Sequence, residues 1–140
     1  MSVVSAKQEF RREIPATLAA VEDFCMGARR WARSVRLANR FAVELLTREA
    51  MANAAAHGCG GDSSKHITGV LRLRPGRLII AVHDQGQGFD WRAAYARASD
   101  MDACTGRGIA ILRQYAHRVR FNQRGNSLII VKRLTKEGTR

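Results

Sequence analysis

Apolar residues in the first part of the chain recur at the three- and four-residue steps of amphipathic helices. Such steps between Thr17 and about Arg33 predict a first helix. Ser34 has the side chain of an N-cap and is expected to begin a second helix, which the glycines at positions 58, 60 and 61 end. The inner side of that second helix is predicted to carry Leu37, Phe41, Leu45, Ala52 and Ala56.

Shorter apolar segments bounded by turn residues predict strands. Residues 66–74 and 77–82 flank an Arg-Pro-Gly-Arg turn and are expected to form an antiparallel hairpin. A second hairpin is predicted from residues 119–123 and 128–131. Residues 7–14 are charged and end at a proline, as an edge strand does. Residues 90–104 have no strong period and are predicted to be short helix and loop.

Length and composition indicate one globular domain. The chain has 140 residues, 46% of them hydrophobic, which is enough to bury a sizeable core. No segment approaches the roughly 20 apolar residues needed to cross a bilayer, so a soluble, cytoplasmic protein without membrane contact is expected. Cys25, Cys59 and Cys104 lack the spacing of a zinc or redox motif and are expected to be reduced. Cys59, in a glycine-rich turn, is expected to be the most exposed.

The chain is strongly basic, with 24 lysines and arginines against 12 acidic residues and a net charge of +12. The surplus is three in residues 1–60 and nine in residues 61–140. Such a charge predicts attraction to nucleic acid, to a nucleotide or to an acidic protein surface. The basic residues are scattered instead of forming one block, and aromatic residues that could stack on bases are few. Direct nucleic-acid binding is therefore not favoured.

Polar residues interrupt the predicted second helix near its end. Glu49 and Asn53 are four residues apart and therefore project from the same helix face. Taken alone, they are explained better as a solvated charge and a helix-end polar residue. The pair also suits a hard cation such as Mg²⁺ or a phosphate chain, because the Asn carbonyl supplies an oxygen ligand without adding charge.

Two glycine motifs follow downstream. Asp84-x-Gly86-x-Gly88 comes at the end of a buried apolar strand, where the backbone passes close to another group or makes a plain tight turn. The second motif leads into a helix, whose first N–H groups and dipole form an anion site. Its arginine either adds a charge there or faces solvent. The second motif consists of Thr105, Gly106, Arg107 and Gly108.

The order of the three motifs resembles the GHKL ATPase superfamily, named for gyrase, Hsp90, histidine kinases and MutL. The helix pair matches its N box, and the two glycine motifs match its glycine boxes. The short span between the glycine boxes is similar to that of the small bacterial anti-sigma-factor serine kinases of the RsbW type. The resemblance covers about residues 35–134 and, less closely, the N-terminal strand and helix. It implies an α/β two-layer sandwich, in which helices cover one face of a mixed, mostly antiparallel sheet. The single domain 1–140 would then contain an N-terminal strand and helix (1–34), a nucleotide-binding core (35–134) and a basic tail (135–140).

The resemblance also implies roles for the motif residues. ATP would bind with Mg²⁺ held by Asn53, and Glu49 would act as general base or orient the attacking group. Asp84 would accept a hydrogen bond from the adenine amino group. Gly86 and Gly88 would let the backbone approach the base and ribose. The phosphates would be bound by Thr105, Gly106, Arg107 and Gly108.

By resemblance, the chain is expected to be an ATP-dependent protein-serine kinase and anti-sigma factor. It would phosphorylate a STAS-domain anti-anti-sigma protein, release it, and then hold a sigma factor; the resemblance also allows a homodimer. One alternative is a nucleotide-binding regulatory module that sequesters a partner without phosphorylating it. Another is a basic nucleic-acid-binding protein, which explains the charge but none of the three motifs.

Overall fold

Within the part of the chain that the structure describes, five strands and three α-helices form an α/β fold. The computed structural model describes residues 8–88, 90, 93 and 107–135. No helix in these ranges combines the length and the apolar character needed to span a membrane. The elements in chain order are β1 (Glu9–Pro15), α1 (Leu18–Ser34), α2 (Arg40–Asn53), a π-helical turn (Ala54–Gly58), β2 (His66–Arg74), β3 (Arg77–Asp84), α3 (Arg107–Tyr115), β4 (Arg118–Phe121) and β5 (Ser127–Arg133).

The strands form one sheet in the order β1-β2-β3-β5-β4. All four of the described pairings are antiparallel, so the predicted two-layer class and mostly antiparallel sheet are confirmed. Both predicted hairpins are present as β2–β3 and β4–β5. β1 lies at the edge as predicted, and its exposed Arg11 and Glu13 discourage pairing with a further chain.

The helices and the sheet enclose one hydrophobic core. α1 contacts α2 and β1, and α2 contacts α3. Burial of a large apolar side chain contributes about 1.5–3 kcal/mol, so this core holds the end of α2 firmly against the sheet. The largest fully buried apolar side chains are those of Leu46, Met51, Ile67, Leu71, Leu78, Ile80, Leu112 and Ile130.

The connection between α1 and α2 differs from the sequence prediction, which made Ser34 an N-cap. Ser34 is the last residue of α1, and its Oγ donates a hydrogen bond of 2.7 Å to the carbonyl oxygen of Trp31. The chain then turns through Arg36 and Asn39, both in the left-handed region with φ of 53° and 59°. α2 begins only at Arg40, because these two residues interrupt the helix.

The inner face predicted for the second helix is also wrong. Phe41 is 70% exposed, with its ring edge-on to Tyr115 of α3, and Ala56 is exposed. The predicted row of inward-facing residues starts at Leu37, which is buried but precedes α2. The row is therefore out of phase with the true helix. The buried residues of α2 are Ala42, Val43, Leu46, Thr47, Ala50 and Met51.

Cys59 is buried, contrary to the expectation that it would be the exposed thiol. The π-helical turn carries the chain back toward the core, where the Cys59 N–H donates to the carbonyl oxygen of Ala54 at 2.9 Å. Gly60 and Gly61, both with positive φ, form the exposed part of the loop instead. Of the segment 90–104, predicted to be short helix and loop, residues 91, 92 and 94–104, with Cys104, lie outside the described residues.

Candidate functional site

The last two turns of α2 carry Glu49 and Asn53 on one half-buried face. Burial raises the pKa of Glu49 above its usual value, and the neighbouring charge of Arg48 opposes that shift. Arg48 itself forms an ion pair with Glu22 of α1. Its guanidinium group therefore lies on the α1 side of the helix in the free chain.

The side-chain amide of Asn53 has unused hydrogen-bonding capacity. Its Nδ2 atom is buried and has no hydrogen-bond partner among the described residues. An unpaired buried donor costs roughly 1–3 kcal/mol and calls for an explanation at the site where it occurs. An anionic ligand oxygen would accept from Nδ2 once the atoms that cover it move aside, and the amide oxygen would then be left for a cation. The arrangement thus fits a phosphate with its metal.

The π-helical turn continues α2 beyond Asn53 and contacts β3. Such turns occur mostly as short interruptions of α-helices, frequently at functional sites. Burial raises the pKa of the Cys59 thiol, and the negative charge of Asp84 raises it further. That second effect places the loop after the π-helical turn beside the end of β3. The turn therefore brings the end of α2 and the end of β3 together.

Asp84 is the last residue of β3 and is only 4% exposed. The backbone N–H of Gly86 donates to its Oδ1 at 2.8 Å, so the side chain closes a local turn. Burial raises the pKa of Asp84, while the Gly86 N–H opposes this. A carboxylate has about four acceptor positions, so capacity remains for a donor from a ligand.

The turn between β4 and β5 braces the end of β3. The N–H of Asp84 donates to the carbonyl oxygen of Asn126 at 2.9 Å. The turn is ordered by the Oδ1 of Asn122, which accepts from the backbone N–H groups of Gly125, Asn126 and Ser127 at 2.8–3.1 Å. This brace was not predicted from the sequence, although Asn at the start of a glycine-containing turn is a recognisable signal for it.

Gly88 meets the same turn. Its φ is +100°, and a Cβ added to it would lie 2.0 Å from the carbonyl oxygen of Arg124. Glycine is therefore required here by close packing against the β4–β5 turn. The role expected for this glycine by resemblance is different: it would let the backbone approach a base and ribose. That role stays a prediction, as it does for Gly86, whose backbone is buried.

Comparison with known families decides the class of the chain. The model of the histidine kinase-like ATPase domain matches residues 14–132. The chain belongs to this family. The match begins at the last two residues of β1 and takes in all of α1, so it includes most of the N-terminal segment as well as the part that carries the motifs. No curated protein matches the chain.

In this histidine kinase-like ATPase domain, the second glycine motif is only partly described. Thr105 and Gly106 lie outside the described residues, while Arg107 and Gly108 are the first two residues of α3. The predicted helix start is therefore present. The phosphate contacts expected of these four residues stay a prediction.

Domains of the histidine kinase-like ATPase family bind ATP, usually with Mg²⁺. Within the described ranges no cluster of three or more His, Cys, Asp or Glu side chains could hold a metal ion. Mg²⁺ usually binds proteins through one or two ligands together with substrate phosphates and water. Asn53 is the residue at this site that would supply such a ligand.

Proposed function

We propose that the chain is an ATP-dependent protein-serine kinase that also acts as an anti-sigma factor. The observation that carries the proposal is the buried Nδ2 atom of Asn53, which has no hydrogen-bond partner among the described residues. Asn53 lies one helical turn from Glu49, on a helix that ends against β3. A site that only bound the adenine base would need Asp84 but not the pair Glu49 and Asn53. An amide and a carboxylate in register at the phosphate side favour phosphoryl chemistry.

Asp84 would select adenine by hydrogen-bond polarity. An ionised carboxylate only accepts, so it pairs with the exocyclic amine of adenine and repels the carbonyl oxygen that guanine presents at that position. The carboxylate is held in place by the Gly86 N–H on one side and by the Asn126 carbonyl through its own backbone. This preorganisation favours discrimination between the two bases.

Glu49 would serve as general base. Bound ATP supplies the γ-phosphoryl group, and Mg²⁺ at Asn53 would neutralise charge on the phosphates. The serine hydroxyl oxygen of the partner forms the new bond to phosphorus, the bond to the ADP oxygen breaks, and the serine proton passes to the Glu49 carboxylate. The raised pKa of Glu49 moves it toward the operating pH, where a general base is most effective.

The test is transfer of radiolabelled γ-phosphate from ATP to purified STAS-domain proteins encoded in the same genome. The chain is expected to phosphorylate one of them on serine. Glu49→Gln should slow transfer by about 10²–10⁴-fold with ATP affinity nearly unchanged. Glu44→Gln is the matched control, since Glu44 lies on the same helix but pairs with Arg29. Intact ATP binding without transfer to any STAS protein would favour the alternative, a regulatory module that binds nucleotide and sequesters its partner.

The proposed binding of a sigma factor or a STAS-domain protein is supported by the charge of the chain. A protein of net charge +12 is suited to an acidic sigma factor or STAS surface. Complex formation should then weaken as salt is raised above about 0.15 M. A complex whose affinity is insensitive to salt would contradict this part of the account.

A further inference from the structure

A groove of about 430 Å³ lies at the end of the sheet opposite Asp84. Its walls come from the β2–β3 turn, the α1–α2 connection and the two residues after β5. It contains none of the residues assigned to the nucleotide site. Much of its lining is apolar, from Val35, Leu37, Ala38, Leu73, Pro75 and Leu134.

Hydrogen bonds between the walls hold the groove in shape. The N–H of Leu134 donates to the carbonyl oxygen of Gly76 at 2.9 Å, which ties the end of β5 to the β2–β3 turn. The Oδ1 of Asn39 accepts from the N–H of Thr135 at 2.8 Å, which ties the same segment to the α1–α2 connection. A preformed groove loses little conformational entropy when it binds a ligand.

The groove is bordered by uncompensated positive charge. None of the described residues that line it is acidic, whereas Arg36 and Arg74 both line it. Arg74 pairs across the sheet with Arg77, and Arg77 pairs with Arg133. Like charges directly opposite one another destabilise a sheet. No ion pair among the described residues engages any of these four arginines.

Arg36 occupies a backbone position that normally takes glycine. Its N–H donates to the carbonyl oxygen of Arg33 at 3.1 Å, and the N–H of Leu37 donates to that of Ala32 at 2.9 Å. These two bonds close α1 as a Schellman motif, in which glycine usually fills the left-handed residue. Arginine at φ 53° keeps backbone strain that glycine would relieve. The side chain of Arg36 is thus retained at a cost in stability.

We propose that this groove docks an acidic peptide segment of a partner protein, with an apolar side chain of the segment on the groove lining. Carboxylates would pair with Arg36 and Arg74 and relieve the repulsion along the arginine row. A nucleic acid is disfavoured because no aromatic residue lines the groove to stack on bases. A second copy of this basic chain, or its own residues 1–7 and 136–140, each with a net positive charge, would not complement the arginines. The site goes beyond the proposed function and does not depend on phosphoryl transfer.

The test is fluorescence anisotropy with the full chain and a short labelled peptide rich in glutamate with one central leucine. The double variant R36G/R74Q removes two charges at the groove, and R30Q/R120Q removes two from exposed arginines outside its lining, so both have the same net charge. At about 0.15 M salt, R36G/R74Q should weaken peptide binding by roughly tenfold or more. R30Q/R120Q should change it by less than about threefold. The single variant R36G should bind more weakly while melting roughly 3 °C higher than wild type, because the strain is gone.

Three results would overturn the proposal. One is an equal loss of affinity in the two double variants, which would show attraction to net charge alone. Another is equal binding of a peptide in which serine replaces the leucine, since the apolar lining would then have no role. The third is tighter binding of single-stranded DNA than of the peptide, with the same dependence on Arg36 and Arg74.

Discussion

The backbone N–H of Gly86 donates a 2.8 Å hydrogen bond to Oδ1 of Asp84, a carboxylate that is only 4% exposed. This bond favours the ionised form, yet burial outweighs it and raises the pKa of Asp84. In the free protein, the ionised form of the Asp84 carboxyl group is therefore less stable than it would be in water. A hydrogen-bond donor from a bound ligand would stabilise the ionised form and offset the effect of burial.

Asp84→Asn is expected to leave the protein at least as stable as wild type at neutral pH. Because the native pKa is raised above 3.8, the native state binds more protons than the unfolded state between 3.8 and that raised value. Wild-type stability therefore falls as pH rises through this window, and the loss persists above it. Asn removes the penalty and keeps an oxygen for the Gly86 N–H. The advantage of the variant should disappear at pH values below 3.8.

Thermal melts across that pH range would measure this difference. Asp62→Asn is the control of opposite sign, since hydrogen bonds from Ser64 lower the pKa of Asp62, which is fully exposed. Asp62 therefore contributes stability above its usual pKa that is lost on acidification. An Asp84→Asn variant that melts below wild type at neutral pH would count against the account of burial at this site.

Asn53→Ala should separate function from stability. The variant removes a buried unpaired donor and places a better helix former in α2, so its melting temperature should equal or exceed that of wild type. Its affinity for Mg²⁺-ATP should fall by about tenfold to a hundredfold. Asn122→Ala is the contrast: it removes an acceptor of three backbone N–H groups and should cost roughly 1–3 kcal/mol of stability. Loss of stability in Asn53→Ala would indicate a structural residue.

Gly88→Ala is expected to destabilise the protein by roughly 2–4 kcal/mol, through backbone strain and the contact with the Arg124 carbonyl oxygen. Gly76→Ala has a similar positive φ but open space around the added Cβ, so it should cost only about 1–2 kcal/mol. Denaturant unfolding of both variants gives the comparison. Equal costs would mean that the β4–β5 turn does not press on Gly88.

ATP binding should depend on pH through Asp84. Both oxygens of Asp84 can accept a hydrogen bond from the adenine amine only when the carboxyl group is ionised. Affinity for ATP should therefore weaken as pH falls toward the raised pKa of Asp84. Binding should release protons there, which calorimetry detects as a dependence on the ionisation enthalpy of the buffer. Asp84→Asn should show a flatter profile over the same range.

Local sequence patterns were sufficient for much of this molecule. The edge strand β1, α1 and both hairpins follow from period and turn residues, and the placement of Glu49 and Asn53 on one helix face follows from helix geometry. The start of α2 was missed because nothing in the residue types of Arg36 requires a left-handed backbone. That error shifted the predicted inner face of α2 to Phe41. The burial of Cys59 depends on the π-helical turn, which no local pattern signals.

Only those features of the candidate site that follow from local sequence patterns could be predicted. Asp84 could be placed at a buried strand end, because apolar residues precede it and glycines follow. The contact of Gly88 with Arg124 joins segments far apart in sequence, and only the fold brings them together. The phosphate contacts of Thr105 and Gly106 stay predictions, since these residues lie outside the described ranges.

The central claim is an adenine nucleotide site built on Asn53 and Asp84. Calorimetric titration of ATP and GTP, each with Mg²⁺, into wild type, Asn53→Ala and Asp84→Asn tests it most directly. The account predicts micromolar ATP binding, about −8 kcal/mol, selective over GTP and weakened by both substitutions, with selectivity lost mainly in Asp84→Asn. Absence of ATP binding, or equal binding by wild type and both variants, would contradict it.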